Sequence, residues 1–404
     1  MALSSTNAVA SFQTQRLSVN QVKVREPLSF DIYDARGKLL LRRGQAIATE
    51  NQLERLMAQG IYYYAEISEQ DEQAALCAGY LPNYKGKKVA VFTLIGDIQQ
   101  SLDRLLRDPP KSGFATTTLE LARLLQHACR LDADAALAHT LLDGKDASCA
   151  KHSVHAAIFV ELLLAQLGRD ADARASSIAA AFTMNMASLD LQERMYRQTT
   201  KLSPAQQTER LMHPQAAASR LRDLKVDDPL WLAVVEQHHE AYDGSGYPRR
   251  LVGAAILEEA QTLMVADCYC AMVSKRAYRT AAQPGVALKE LFLAQGKNIH
   301  PKLAALLVKE IGIYPPGSFV SLANCEIAIV VRRSLNVKQP IVKSLVSQTG
   351  VPFPEPVKRI TSSDPKFAIE KNIAPGSVGF ALSSSKLWED AFEIDAKANV
   401  RAGA

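Results

Sequence analysis

The chemistry-bearing stretch is His238-His239-Glu240-Ala241-Tyr242-Asp243-Gly244-Ser245-Gly246-Tyr247-Pro248. Two adjacent imidazoles end an apolar, helix-like run, Pro229 to Gln237. Asp243-Gly-Ser-Gly246 then reads as a tight turn, because glycine enters positive φ freely. Tyr247-Pro248 sets an extended exit. A His pair beside an acidic, glycine-rich loop points to a metal site with a loop that gates a substrate. Asp267 lies among Met264, Val265 and Ala266, and a carboxylate in an apolar helix is costly unless paired or metal-bound. Lys275, Arg276 and Arg279 by themselves read as a solvated cationic face. His155 lies three residues after His152, on the same helical face; it could supply a ligand, though the structural reading comes first. His127, His139 and His300 read as structural. No Gly-x-Ser-x-Gly turn sits between a strand and a helix, so Ser-His-Asp catalysis has no support.

The elements that position these residues follow from pattern. The 404 residues suffice for two or three domains, and 48% hydrophobic with 22% charged is an ordinary globular balance. No apolar run is long enough to span a bilayer. The polar N-terminus, Met1 to Arg16, lacks the apolar core of a signal peptide, so a cytoplasmic location is expected. Cys77, Cys129, Cys149, Cys268, Cys270 and Cys325 show no zinc-knuckle spacing and should be free thiols. The net charge of +5 is mild, and no basic stripe is interleaved with aromatics, so no nucleic-acid partner is expected.

Residues 1 to 17 read as a disordered lead. Leu28 to Tyr33 and Lys38 to Arg42 alternate as the strands of a hairpin, Thr49 caps a helix that Gly60 stops, and Ile61 to Ala65 is another strand. This α+β module and a linker take up residues 18–88. Helical spacing then persists through 89–316, including one helix over Asp172 to Leu191 and one opened by Ser203-Pro204. Strand periodicity returns in 317–404 as a β-hairpin, Phe319 to Val331. Weaker strands follow at Ile341 to Ser347 and Val378 to Leu382, with a loop over 348–376 and a tail from Lys397. The fold class is mainly α.

Taken in order, these motifs resemble the HD-GYP family of the HD superfamily of all-α phosphohydrolases, over about Asp146 to Val331. Lys151-His152-Ser153, His213-Pro214, the whole string His238 to Pro248, Val265-Ala-Asp267, Ser274 to Arg279, and Gly312-Ile-Tyr-Pro315 with the hairpin after it carry the likeness. It implies an HD-type helical core with an N-terminal regulatory module and a short C-terminal β extension. The implied chemistry is hydrolysis of cyclic di-GMP, with two or three metal ions, often iron or manganese, activating water. The likeness assigns metal binding to His152, His213, His238, His239 and Asp267. It assigns ligand phosphate to Lys275, Arg276 and Arg279, Arg's fork being suited to it. The gating loop is then Asp243, Gly244, Gly246, Tyr247 and Pro248.

One departure matters. The family's His-Asp dyad aligns on Met184-Asn185, and its following Gly-Lys on Ala187-Ser188. A thioether is a poor partner for iron or manganese. An amide cannot bridge two cations as a carboxylate does, and Asp190 lies more than a helical turn from Asn185. Three imidazoles can still hold one divalent ion, iron or manganese ahead of zinc, but not a two-metal centre. The expectation is a degenerate HD-GYP signalling protein. It would act by binding cyclic di-GMP or a related phosphodiester, or a partner such as a diguanylate cyclase domain, with weak or absent hydrolysis. The competing reading is an active metal-dependent cyclic di-GMP phosphodiesterase. Hydrolysis of another phosphate ester through one metal is a third.

Overall fold

The structure, a computed structural model, describes residues 12–17, 22–34, 38–66, 88–110, 112–143, 148–277, 279–374, 387–388 and 393–395. The expected linker from Ser68, the strand at Val378 to Leu382 and the tail from Lys397 lie outside the described residues. The molecule is mainly α.

In the N-terminal module, strands β1 (Phe12–Arg16), β2 (Ile32–Asp34), β3 (Leu39–Leu41) and β4 (Ile61–Glu66) form an antiparallel sheet in the order β1-β4-β2-β3. Helix α1 (Glu50–Gln59) completes it. Thr49 caps α1 by accepting from Gln52 N, and Gly60 ends it at positive φ, as its sequence signals require. The expected disordered lead is corrected at its end: Phe12–Arg16 is an ordered strand, paired along its length with β4. A polar pattern conceals it because an edge strand needs backbone partners more than an apolar face.

Helices α2 (Val91–Arg107), α3 (Phe114–Leu131), α4 (Ala133–Leu142), α5 (Cys149–Gln166), α6 (Ala171–Thr183), α7 (Leu189–Arg197), α8 (Pro204–Asp223), α9 (Pro229–Gln237), α10 (Glu258–Val273), α11 (Pro284–Leu293) and α12 (Pro301–Ile311) form the helical body. Side-chain oxygens of Asp132, Ser148, Asp170, Ser203 and Asp228 cap five of them, with a full capping box at Ser203 and Gln206. Helix α5 is the central post. It is buried nearly all round and packs on α6 and α10. Trp231, fully buried on α9, donates its indole N–H to Thr183 at 2.8 Å and ties α9 to the end of α6.

The single helix expected over Asp172 to Leu191 is two. Helix α6 ends at Thr183, residues 184–187 turn, and α7 starts at Leu189. Short-range bonds from Met186 N to Thr183 O and from Ser188 N to Asn185 O close the turns. Neither glycine nor proline marks this break, so tertiary packing imposes it.

The C-terminal part is more than a hairpin. Strands β6 (Phe319–Leu322), β7 (Ile327–Arg332), β8 (Ile341–Val346), β9 (Pro352–Ile360) and β10 (Ile369–Ile373) form an antiparallel sheet in the order β10-β6-β7-β8-β9. The loop expected over 348–376 therefore contains two strands. Pro352, Pro354 and Pro356 hid β9, yet proline is tolerated on an edge strand, where one row of N–H groups has no partner to lose. Strand β5 (Lys88–Ala90) pairs with β11 (Glu393–Asp395) beside α2. Buried Arg332 and Arg333 fasten the sheet to the helices. Arg332 meets Asp132, and Arg333 meets both Asp134 and Glu310 at 2.5–2.6 Å. Those bonds also fix the start of α4.

Candidate metal centre

His213, His238 and His239 converge, each offering a ring nitrogen within 4.8 Å of the others. Their orientation has a local cause. Pro214 sits inside α8 and has no N–H, so the carbonyl four residues back, on Arg210, loses its helical donor. His213 takes that carbonyl through Nδ1 at 2.6 Å. His238 caps the end of α9, where the last carbonyls are also orphaned, and its Nδ1 donates to Val235 O at 2.7 Å. Both rings therefore carry their proton on Nδ1 and turn a bare lone pair on Nε2 toward each other, 3.2 Å apart. Two acceptors at that distance repel. A divalent ion between them turns the repulsion into two bonds, because nitrogens about 2.0–2.1 Å from one tetrahedral ion lie about 3.3–3.4 Å apart. The donor set thus fits a divalent metal.

Burial keeps these ligands neutral. It lowers His213 to about 3, and it also lowers His238 and drives His239 well below the usual imidazole range, with neighbouring imidazoles adding to the fall at His213 and His239. The sign follows from linkage. The unfolded chain takes up protons near pH 6.5 and the folded chain resists them, so stability present above that value is lost as pH falls toward 3. Metal-stripped protein should therefore lose melting temperature steadily from pH 7 to 5. The slope should reach as much as about 1.4 kcal/mol per pH unit for each titrating imidazole. Thermal melts in a chelating buffer series check this, and a flat profile would contradict it.

The glycine-rich loop is built against the backbone of the His pair. A Cβ on Gly246 would lie 2.2 Å from Ala241 N and 2.5 Å from His239 O, so only glycine fits. Gly244 adopts φ +79 and would strike Val252. Glu240 is fully buried and binds no metal position. Its two oxygens accept from Arg249 N at 2.6 Å and Leu251 N at 2.9 Å, which pins the loop's return. Asp243 accepts from Ser245 N and Oγ, an Asx turn that faces away from ligand duty. The Tyr247-Pro248 peptide is cis. Tyr247 stacks on His239 at 4.7 Å, and the Arg210 guanidinium lies over its ring, 5.5 Å from the centroid. Pattern reading missed Arg210 and the role of Glu240. The spacing of Arg210 three residues before His213 is the signal that was there to find.

The other expected ligands form a separate pair. His152 on α5 meets Asp267 on α10, Nε2 to Oδ1, at 2.6 Å. Burial pushes the Asp267 carboxyl up, but the hydrogen bond from His152 outweighs it and holds it well below the usual range. His152 Nδ1 is buried with no hydrogen-bond partner among the described residues. Where the His-Asp dyad would complete this half, Met184 is fully buried in the hydrophobic core. The Asn185 oxygen accepts from Gln192 Nε2 at 2.9 Å, and Ser188 Oγ turns back to Asn185 O. Asp190 is exposed on α7. The residues that fit a metal here number two, which does not make a second centre.

Of the cationic run, Arg276 lays its guanidinium over the Tyr196 ring at 5.0 Å, and its backbone exchanges hydrogen bonds with Arg279. Arg279 donates to Ala271 O at 2.6 Å, and Lys275 is exposed. Arg276 and Arg279 are thus engaged with different partners, an aromatic ring and a backbone carbonyl.

A family model described as HD domain matches residues 135–303. A cyclic di-GMP phosphodiesterase of Pseudomonas aeruginosa is 32% identical over 147 residues, covering 36% of this chain and 35% of that protein. A cyclic di-GMP phosphodiesterase response regulator of Xanthomonas campestris is 42% identical over 73 residues, covering 18% of this chain and 19% of that protein. The chain thus spans about a third or less of the length of these curated relatives. A solved HDG"Y"P protein from Bdellovibrio bacteriovorus aligns over 73% of this chain and 98% of its own, at 16% identity and a TM-score of 0.44.

Proposed function

We infer that this chain, which carries an HD domain of the HD-GYP family over residues 135–303, works by binding cyclic di-GMP or a related phosphodiester with hydrolysis weak or lost. The observation that carries this is the state of the dyad positions. Met184 is committed to the core and the Asn185 oxygen to Gln192, so neither is poised to bind or bridge metals. One ion at His213, His238 and His239 would supply a positive charge for a phosphate oxygen. Without a second ion beside it, the charge that develops on an attacked phosphodiester has no symmetric clamp.

The chain's own residues still serve a ligand. Tyr247, stacked on His239 with the Arg210 guanidinium also against its ring, holds the glycine-rich loop and a cationic group beside the centre. Arg276 beside Tyr196 offers a guanidinium to a phosphate. Among the described residues no helix is long and apolar enough to cross a membrane. In this reading the metal, iron or manganese ahead of zinc, anchors the ligand, and a partner such as a diguanylate cyclase domain reads the bound state.

Calorimetric titration with cyclic di-GMP, with and without added divalent metal, tests the reading. Binding should strengthen at least tenfold with metal and weaken on Arg276→Ala, by roughly the 1.5–3 kcal/mol of a charge-assisted hydrogen bond. Absence of binding in both conditions would leave the active-site likeness without a ligand and sink the proposal.

A further inference from the structure

We propose that His139, Asp143 and His155 form a second, structural site for a divalent transition ion, zinc by preference, apart from the His213–His238–His239 centre. By sequence, His139 has a bland structural role and His155 is a ligand only as the lesser reading. The fold instead brings His139 from the last turn of α4, Asp143 from its C-cap and His155 from the second turn of α5 to one point. Each offers a ligand atom within 4.8 Å of the others.

The hydrogen-bond geometry at that point gathers two acceptor atoms around one donor. Gln99 Nε2 on α2 lies 2.8 Å from Asp143 Oδ2 and 3.2 Å from His155 Nε2. His155 Nε2 is itself 3.3 Å from the same Asp143 oxygen. The two N–H groups of Gln99 serve both, and they hold the His155 lone pair and the Asp143 oxygen side by side, as a cation in their place would. The 3.3 Å between those two atoms is about the spacing of two ligand atoms on a tetrahedral ion with bonds near 2.0 Å. A half-turn of the Gln99 amide, whose two ends are distinguished only by their partners, presents Oε1 as a fourth donor.

A second observation points the same way. His139 is only 4% exposed, and its Nδ1 is buried with no hydrogen-bond partner among the described residues. Burial, with His155 adding to it, lowers His139 to about 3, and burial lowers His155 too, so both imidazoles are in the unprotonated form that binds metal. Lys151 Nζ, 3.3 Å from Asp143 Oδ1, takes the outer oxygen and leaves Oδ2 for the site. Such a partner orients a ligating carboxylate. Phe92 packs on the His139 ring at 5.3 Å, and Trp388 covers Phe92 at 5.1 Å. A closed site with two imidazoles and a carboxylate suits structural zinc. It would pin α2 and α4 to α5, the helix that also carries His152.

The test is a cobalt(II) and zinc titration of the chelator-treated full chain, read by visible absorption and by elemental analysis after gel filtration. The His213→Ala/His238→Ala variant should still bind one equivalent with the absorption of tetrahedral cobalt. His139→Gln and Asp143→Asn, with unchanged metal-free melting, should each bind one equivalent fewer than the unmodified chain. Undiminished binding by both of these variants overturns the proposal. Because the double variant can fail to fold, the unmodified chain is also counted alone. Fewer than two equivalents, with none lost on His139→Gln, overturns it as well.

Discussion

His213→Ala protein keeps its helical fold and loses the ion of the three-imidazole centre. Structural sites gain roughly 10–16 kcal/mol across four ligands, so one ligand is worth about 3 kcal/mol and its removal weakens binding on the order of a hundredfold or more. The fold survives because the substitution also removes one of two lone pairs held 3.2 Å apart, which offsets part of the lost packing and the lost bond to Arg210 O. His152→Ala is the informative contrast. His152 is engaged with Asp267 in a separate pair, so its loss leaves the centre's ion in place. Metal content after gel filtration, beside the melting temperature of metal-free protein, checks both. Equal loss of metal in the two variants would contradict the division into a complete and an incomplete half.

Gly246→Ala does more damage than removing any single ligand. The new methyl would sit 2.2 Å from Ala241 N, 2.5 Å from His239 O and 2.6 Å from Glu240 Cα, all of them backbone atoms that no rotamer change can move aside. Either the loop lifts away or the His239–Ala241 backbone shifts, and both routes undo the Tyr247 stack on His239 and the bond from Tyr247 N to His239 O. Overpacking of this kind costs about 3 kcal/mol or more. Metal affinity should fall with it, because His239 moves. Gly96→Ala in α2, where a Cβ meets nothing within 4 Å, is the control and should be neutral or stabilising by about 0.5–1 kcal/mol. A denaturant melt of the two variants decides, and equal midpoints would contradict the argument.

Much of this was readable from residue types. The cap residues, the tight turn after the His pair and the cost of Asp267 in an apolar helix all follow from local chemistry, and the structure gives Asp267 a partner in His152. The reason for His213-Pro214 was present in the sequence too, once the carbonyl that proline orphans is counted. Other features needed the third dimension. The break after Thr183 carries no glycine or proline. Strand β9 hides behind three prolines that only an edge position permits. Glu240 looks like a ligand beside two histidines, yet it serves the backbone of Arg249 and Leu251. His139 and His155 lie sixteen positions apart on two helices, and no spacing rule links them to Asp143 or Gln99.

The most direct measurement is the steady-state turnover of cyclic di-GMP by pure, metal-loaded protein at saturating ligand, followed by product chromatography. With Met184 in the core and Asn185 bound to Gln192, the account predicts bound ligand released intact, with turnover at or near the uncatalysed background. Turnover on the order of one per second or faster, the ordinary enzyme range, would contradict it.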